Sequence, residues 1–163
     1  MTDYAHRNLA ERDLEAISRF PTSREELFFI GPRFVFPLTS EQILALASTR
    51  ASPTVLIDGE DKPIAYANLY DLNTEASTCW LGNVIISPLY RGQGVAEQLL
   101  RTMMDRARDE YGIGTLKLYC HNTNTRALLF YVKHGFVPCG TNVIENYEGN
   151  KIVAIEMERR LRS

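Results

Sequence analysis

The chain has 163 residues, 45% of them hydrophobic and 23% charged, which is typical of one globular domain covering 1–163. A net charge of −2 argues against a broad phosphate-binding surface, so nucleic acid is not an expected partner. The three cysteines are widely spaced and form no CxxC pair, which predicts a reducing compartment and no metal site. The sequence has no apolar run of membrane length and no signal peptide, so we expect a cytoplasmic protein that binds no membrane.

The N-terminal half of the sequence mixes short helices with strands. Hydroxyl side chains followed by acidic or amide residues indicate helix starts at Thr22 or Ser23 and at Thr39 or Ser40. Residues 27–38 hold four phenylalanines, a glycine and two prolines, and we interpret this segment as a shaped loop. The predicted elements are a strand over 4–7, helices over 10–19 and from 22 or 23, the loop, a helix from 39 or 40 to about 50, and a hairpin of 54–57 and 64–69.

The C-terminal half is organised around one apolar strand. Val84, Ile85 and Ile86 are apolar on successive positions, which predicts a central strand buried on both faces and ended by Pro88. An amphipathic helix follows over 94–110. The central strand is predicted to begin at residue 77. The other predicted elements are a strand over 115–120, a helix from 122–124 to 133, and a closing hairpin of 136–144 and 151–161.

A turn that we call the glycine turn, residues 91–96 with the sequence RGQGVA, joins the central strand to the amphipathic helix. Gly92 and Gly94 can adopt positive φ, and backbone N–H groups at a helix start can converge on one anion, so the turn is interpreted as a diphosphate site. A Rossmann GxGxxG pattern fails because Glu97 takes the third glycine position, and no P-loop is present. A plain strand-to-helix connection remains the alternative.

The segment 82–96 resembles motif A of the GNAT superfamily of acetyl-CoA-dependent N-acetyltransferases. In this motif Arg or Gln is followed by any two residues, then Gly, then any one residue, then Gly or Ala. Arg91, Gly94 and Ala96 occupy those positions. A second set of residues resembles the motif B of the same superfamily. Its members are Asn124, Ala127, Tyr131, Gly135 and Phe136.

The resemblance implies an α/β (α+β) fold with a mixed, mostly antiparallel sheet of six to seven strands, a V-shaped splay between two parallel strands, and four to five flanking helices. It also implies that acetyl-CoA is the co-substrate, with its pantetheine arm along the central strand and its pyrophosphate on the glycine turn. The implied cofactor-binding residues are Val84, Ile85, Ile86, Arg91, Gly92, Gln93, Gly94, Val95, Ala96 and Asn124.

The resemblance further implies that Tyr131 faces the cofactor sulfur as the catalytic acid. Direct attack of an amine on the thioester needs no enzyme nucleophile, and proton transfer from a tyrosine to a thiolate is uphill by about 2 kcal/mol from reference pKa values. Many relatives place a glutamate base before the glycine turn, but residues 76–96 hold no Asp or Glu, so the base is unassigned. A chain of water molecules could instead carry the amine proton to an acidic side chain, and the candidates for this acceptor are Asp71, Glu75 and Glu145.

Two further features bear on the chemistry. Cys120 and His121 are disfavoured as a nucleophile pair because neighbours on a strand point to opposite faces. Aromatic residues are candidate contacts for the amine of a small molecule or peptide, with core packing as the alternative. These candidates are Phe28, Phe29, Phe34 and Trp80.

Three other hypotheses stay open at this stage. The enzyme could transfer a longer acyl group, or transfer to an acceptor nucleophile other than an amine. The domain could instead bind acyl-CoA as a sensor or interaction module without turnover, because the usual base is missing. Homodimer formation through the last strands is a further hypothesis about partners.

Overall fold

The computed structural model describes residues 3–161, and over this range it forms one seven-stranded sheet in the order β1-β2-β3-β4-β5-β7-β6, flanked by five α-helices. Only β4 and β5 pair in parallel, and all other neighbouring strands are antiparallel. The predicted fold class is therefore confirmed. The strands are β1 Ala5–Asn8, β2 Ala51–Ile57, β3 Pro63–Asn73, β4 Thr78–Ile86, β5 Thr115–His121, β6 Val137–Glu145 and β7 Lys151–Arg160, and the helices are α1 Leu14–Ser18, α2 Arg24–Ile30, α3 Ser40–Ala47, α4 Val95–Tyr111 and α5 Thr125–Lys133.

The loop predicted over 27–38 is wrong in its first third, because α2 continues to Ile30. The Ser23 hydroxyl caps this helix by accepting from the backbone N–H of Glu26 at 3.1 Å, and Leu27 and Phe28 are buried, so capping and packing extend the helix up to the residue before Gly31. The helix ends where Gly31 takes an extended conformation and Pro32 follows. Only the remainder of the segment is irregular.

The helix predicted over 10–19 is also divided. It starts as a 3-10 turn, Glu11–Asp13, before α1. The Asp13 carboxylate is buried and accepts hydrogen bonds from Arg7 at 2.7 and 2.9 Å and from the Ala10 N–H at 2.8 Å. These bonds fix the tight turn, because a buried carboxylate must be both paired and hydrogen-bonded.

Two apolar layers cover the sheet. On one face α4 and α5 pack with residues such as Leu99, Met103 and Phe136. On the other face α1, α2 and α3 pack around Ile17 and Tyr66. Residues that alternate along β5 therefore point to different layers, and this alternation determines what faces the site.

A gap opens between β4 and β5. The two strands pair only from Thr78–Trp80 with Thr115–Lys117, whereas β5 continues to pair with β7 up to His121 opposite Ala154. A β-bulge bends β4 at Asn83, which has a φ of 53°. The splay expected from the family resemblance is thus present, and it leaves the second half of β4 without a partner on this side. Within residues 3–161, none of the helices has the length and apolar character needed to cross a membrane.

Candidate active site

The gap between β4 and β5 belongs to a cavity of about 960 Å³ that reaches both faces of the sheet. On the α4–α5 face it is lined by Gly94, Asn124 and Tyr131. On the α1–α3 face it is lined by Arg50 and His121. We call these the cofactor half and the acceptor half. The cavity is large enough for two ligands to approach one another through the sheet.

The glycine turn has the backbone conformation expected of an anion site. Gly92 and Gly94 have φ of 76° and 80°, and Gly94 is the N-cap of α4. The first intrahelical bond of α4 runs from the Gln98 N–H to the Gly94 carbonyl, so the preceding N–H groups have no partner within the helix. Free donors at the positive end of a 17-residue helix favour a phosphate group.

Arg91 of the glycine turn is held by an acidic side chain. Its guanidinium donates to both carboxylate oxygens of Glu26, at 2.5 and 3.1 Å. Glu26 also accepts from the backbone N–H of Thr22 at 3.1 Å. The positive charge of Arg91 is therefore partly balanced by Glu26 in this structure.

The other cofactor-binding candidates lie where the splay begins. Val84 and Ile86 line the cavity, whereas the Ile85 side chain is buried in the α1–α3 layer, so it is the backbone of β4 that faces the gap. Asn124 caps α5, because its Oδ1 accepts from the Ala127 N–H at 3.3 Å. All of the candidates in the turn line the cavity except Gln93, whose side chain donates to the Leu89 carbonyl.

Tyr131 lies in the cofactor half, in an aromatic cluster. Its ring meets those of Phe130 and Phe136 edge-on, with centroids 5.4 and 5.6 Å away. Burial raises the pKa of the Tyr131 phenol, so the hydroxyl keeps its proton at neutral pH. Proton transfer to a thiolate is correspondingly more costly than reference pKa values indicate.

The predicted acceptor contacts do not form one group. Phe28 and Phe29 meet His121, with ring centroids 4.8 and 5.8 Å from the imidazole. Phe34 packs with the α1–α3 core instead of lining the cavity. Trp80 is stacked between Tyr70 and Tyr119, at 6.1 and 4.6 Å, and these two neighbours line the cavity while Trp80 does not.

Sequence reasoning missed the polar residues of the acceptor half. Arg50, Tyr70 and Tyr119 were not singled out, and His121 was considered only as a partner for Cys120. The alternation of β5 could have placed Tyr119 and His121 on one face, but no local pattern points to Arg50.

The acids proposed as ends of a water chain lie outside the cavity. Asp71, Glu75 and Glu145 are exposed and do not line it. The described residues contain one group with metal-ligand spacing, formed by Cys139 with Glu156 and Glu158 on the terminal strands. The Lys117 ammonium lies 2.7 Å from Glu156, which makes an ion pair the simpler explanation.

Comparisons with known proteins identify the family. A model described as the acetyltransferase (GNAT) family matches residues 17–136. Among solved structures, the spermidine N-acetyltransferase from Vibrio cholerae, in complex with CoA and spermine, is 21% identical with a TM-score of 0.79, covering 96% of this chain and 95% of that one. The ribosomal-protein-S18-alanine N-acetyltransferase from Escherichia coli is 21% identical with a TM-score of 0.72, covering 99% and 96%.

A phosphinothricin acetyltransferase from Sinorhizobium meliloti, in complex with AcCoA, is 18% identical with a TM-score of 0.75, covering 97% of this chain and 88% of that one. At these identities, the structural likeness supports the fold alone. No curated protein sequence matches the chain significantly. Because the family model covers most of the sequence, from α1 to the end of the segment that carries Tyr131, the chain belongs to the GNAT family of acetyl-CoA-dependent N-acetyltransferases.

Proposed function

We propose that the chain, acting as one domain, transfers an acetyl group from acetyl-CoA to a primary amine of a small molecule or peptide within a ternary complex. The observation that carries this proposal is the cavity that passes through the sheet between β4 and β5. A thioester that enters from the cofactor half and an amine that enters from the acceptor half would meet in this gap. Such placement accounts for much of the catalysis of a two-substrate reaction.

The cofactor half has groups that suit each part of acetyl-CoA. The pyrophosphate binds to the free N–H groups of the glycine turn, 91–96. The pantetheine arm lies along Val84, Ile85 and Ile86, where β4 has lost its neighbour β5 and its backbone can bond to an amide. Asn124, at the start of α5, contacts the same arm.

The transfer itself follows from these positions. The neutral amine attacks the thioester carbonyl, and a backbone N–H of β4 near Ile85 or Ile86 stabilises the tetrahedral oxyanion. Collapse breaks the carbon–sulfur bond, and Tyr131 donates its proton to the departing thiolate. The amine nitrogen loses one proton to water, Tyr131 regains one from water, and the products are the N-acetylated acceptor and CoA.

The test is CoA release from acetyl-CoA across a panel of amino acids, polyamines, aminoglycosides and peptides. Tyr131→Phe should lower kcat by about 100-fold and leave the affinity for acetyl-CoA unchanged. The matched control is Tyr111→Phe, which removes a hydroxyl 2.7 Å from Ser52 and outside the cavity, and it should keep full activity. Tight CoA binding without turnover of any amine would refute the enzyme and favour an acyl-CoA sensor. Propionyl-CoA and longer donors in the same assay test acyl-chain length.

We also propose a homodimer formed through the last strands. Among residues 3–161 the edge strand β6 pairs only with β7, and Val137 and Val143 on it are 57% and 64% exposed. An unpaired edge with exposed apolar residues favours pairing with a second copy. Sedimentation should give twice the chain mass, and a monomer mass at every protein concentration would refute the dimer.

A further inference from the structure

We propose that the acceptor amine carries a carboxylate or another anionic group, and that Arg50 binds this group in the acceptor half of the cavity. The inference rests on the proposed acetyl transfer and names the class of its substrate. The simplest members of this class are amino acids and other aminocarboxylates. Polyamines, which carry only positive charges, belong to the opposite class.

The first argument is the position of the Arg50 guanidinium. It lies over the ring of Tyr70, 4.0 Å from the centroid, and Nη1 donates to Asn68 Oδ1 at 3.2 Å. Asn68 is itself fixed, because its Nδ2 donates to Tyr66 and Asn83, each at 2.9 Å. Stacking on an aromatic ring and bonding to a buried amide orient the guanidinium towards the cavity that it lines.

A second argument is the space left for this side chain. A Cβ on Gly82 would lie 2.5 Å from Arg50 Nη1 and 2.8 Å from Asn68 Oδ1. Any other residue at this position would overlap with the guanidinium. Because Gly82 has no side chain, the Arg50 guanidinium can lie against β4 at this position.

The third argument is that the charge has no counterion. Over residues 3–161, no carboxylate oxygen lies within 4.0 Å of Arg50, whereas Arg7, Arg91 and Arg106 each form an ion pair. Burial has the largest effect on the pKa of Arg50 and lowers it; repulsion from Arg33 also lowers it, whereas Asp71 and the neighbouring tyrosines act in the opposite direction. A partly buried cation without a partner is costly, and the planar guanidinium is well suited to bidentate bonding with a ligand carboxylate.

Charged side chains of both signs line the cavity. Arg33 and Arg50 line it in the acceptor half. Glu25 and Glu26 of α2 lie on the same face, where Glu26 is already paired with Arg91, and Glu97 belongs to α4 on the other face. An acceptor with several ammonium groups would be repelled by the two arginines, and an anionic acceptor would be attracted.

The experiment compares each aminocarboxylate with its own primary amide, and both with spermidine, by kcat/KM. The wild-type enzyme should favour the carboxylate over its amide by about 30-fold. Arg50→Gln should lower kcat/KM for the carboxylate by that factor, leave the amide unchanged, and keep the affinity for acetyl-CoA. Arg50→Lys keeps the charge without the planar fork and should retain part of the preference.

Equal use of carboxylate and amide by the wild-type enzyme, or a preference for spermidine, would overturn the inference, and this comparison requires no variant. An Arg50→Gln enzyme that loses both acceptors equally would overturn it as well. Either result still includes turnover, so acetyl transfer itself would stand. Absence of turnover with every amine would instead refute the proposed function, and the acceptor inference would fall with it.

A separate observation concerns His121, the last residue of β5. Its side chain is 6% exposed, and Nδ1 is buried without a hydrogen-bond partner in the described part of the chain. It lies beyond the point where β5 leaves β4, on the face opposite to Cys120, and it lines the cavity. We infer that the His121 imidazole receives the proton that the attacking amine must lose, directly or through one water.

The surroundings of His121 keep its imidazole neutral. Phe28 and Phe29 of α2 contact the ring, Ala154 of β7 pairs with its backbone, and Tyr147 packs against Phe28 with centroids 6.1 Å apart. Tyr119 lies on the same face of its own strand. On α2, the carboxylates of Glu25 and Glu26 also line the cavity, and Glu26 is paired with Arg91. Burial lowers the pKa of His121 below its usual 6.5. As the C–N bond forms, an N–H bond of the attacking nitrogen breaks and an N–H bond forms on the imidazole, which later releases the proton to water.

The test is the pH profile of kcat at saturating substrates. Wild-type kcat should fall as the pH drops through a pKa below 6.5, because the imidazole becomes protonated. His121→Gln should lower kcat by about 100-fold and lose this acid limb, with an unchanged KM for acetyl-CoA. A wild-type profile without the limb would overturn the role of His121. A variant that loses rate but keeps the limb would show a structural role and overturn it too.

Discussion

Gly82→Ala is a small change that should affect acceptor binding and leave the cofactor half intact. The new methyl group would lie 2.5 Å from Arg50 Nη1, 2.8 Å from Asn68 Oδ1 and 3.0 Å from Tyr70 Cδ1. Asn68 is fully buried in a hydrogen-bonded network and cannot move, whereas the guanidinium is the far end of a flexible side chain. Arg50 should therefore be displaced from its place over Tyr70.

The displacement costs one charged hydrogen bond and one cation–π contact, together about 2 kcal/mol for an acceptor that depends on the guanidinium. We expect KM for an aminocarboxylate to rise about 30-fold, the amide to be unaffected, and KM for acetyl-CoA to remain the same. Two-substrate kinetics with a thermal melt as the folding control measure this. An unchanged carboxylate KM in a folded Gly82→Ala enzyme would refute the role assigned to this pocket.

Three other changes give separate tests. Gly94→Glu should abolish binding of acetyl-CoA in calorimetry while unfolding stays cooperative. The control Gly149→Glu, at a glycine with the same φ of 80° in an exposed turn, should bind acetyl-CoA normally. Unchanged affinity in Gly94→Glu would exclude the glycine turn as the acetyl-CoA site. Asp13→Asn should destabilise the fold by about 2 kcal/mol at pH 7 in urea unfolding. Burial acts to raise the pKa of Asp13, but the hydrogen bonds from Arg7 and from the Ala10 N–H outweigh it and lower the pKa below 3.8. The wild-type advantage is therefore present above the unfolded pKa near 3.8 and is lost as the pH falls through the lower folded pKa, and an advantage that stays constant as the pH is lowered below 3.8 would contradict this. Glu26→Gln should free the guanidinium of the glycine turn and raise acetyl-CoA affinity up to about fivefold at low salt, and a weaker affinity would contradict the competition.

The cofactor half was largely predictable because its signals are local. A buried strand, two glycines and an amphipathic helix adjoin in sequence, and both glycines have the positive φ that this arrangement requires. The residues of motif B follow on α5 at helical spacing, which brings Asn124 and Tyr131 to the same cavity.

The acceptor half was not predictable, because it is built from distant segments. Arg50 follows α3 and meets Tyr70 only through the pairing of β2 with β3, and the Asn83 bulge decides which side chains of β4 face it. The aromatic residues of 27–38 were considered together, but α2 turns Phe28 and Phe29 towards His121 while Phe34 joins the core. Tertiary packing therefore places phenylalanines that are close in sequence in different parts of the structure, and the sequence alone does not show which of them line the site.

The central claim is that donor and acceptor meet in the gap between β4 and β5 and react directly. Initial rates measured with acetyl-CoA and an aminocarboxylate varied together test it most directly. Intersecting lines in the double-reciprocal plot, with no acetylated protein detected by mass spectrometry in the absence of acceptor, are the expected result. Parallel lines together with a stable acetyl group on Cys120 or another side chain would contradict it.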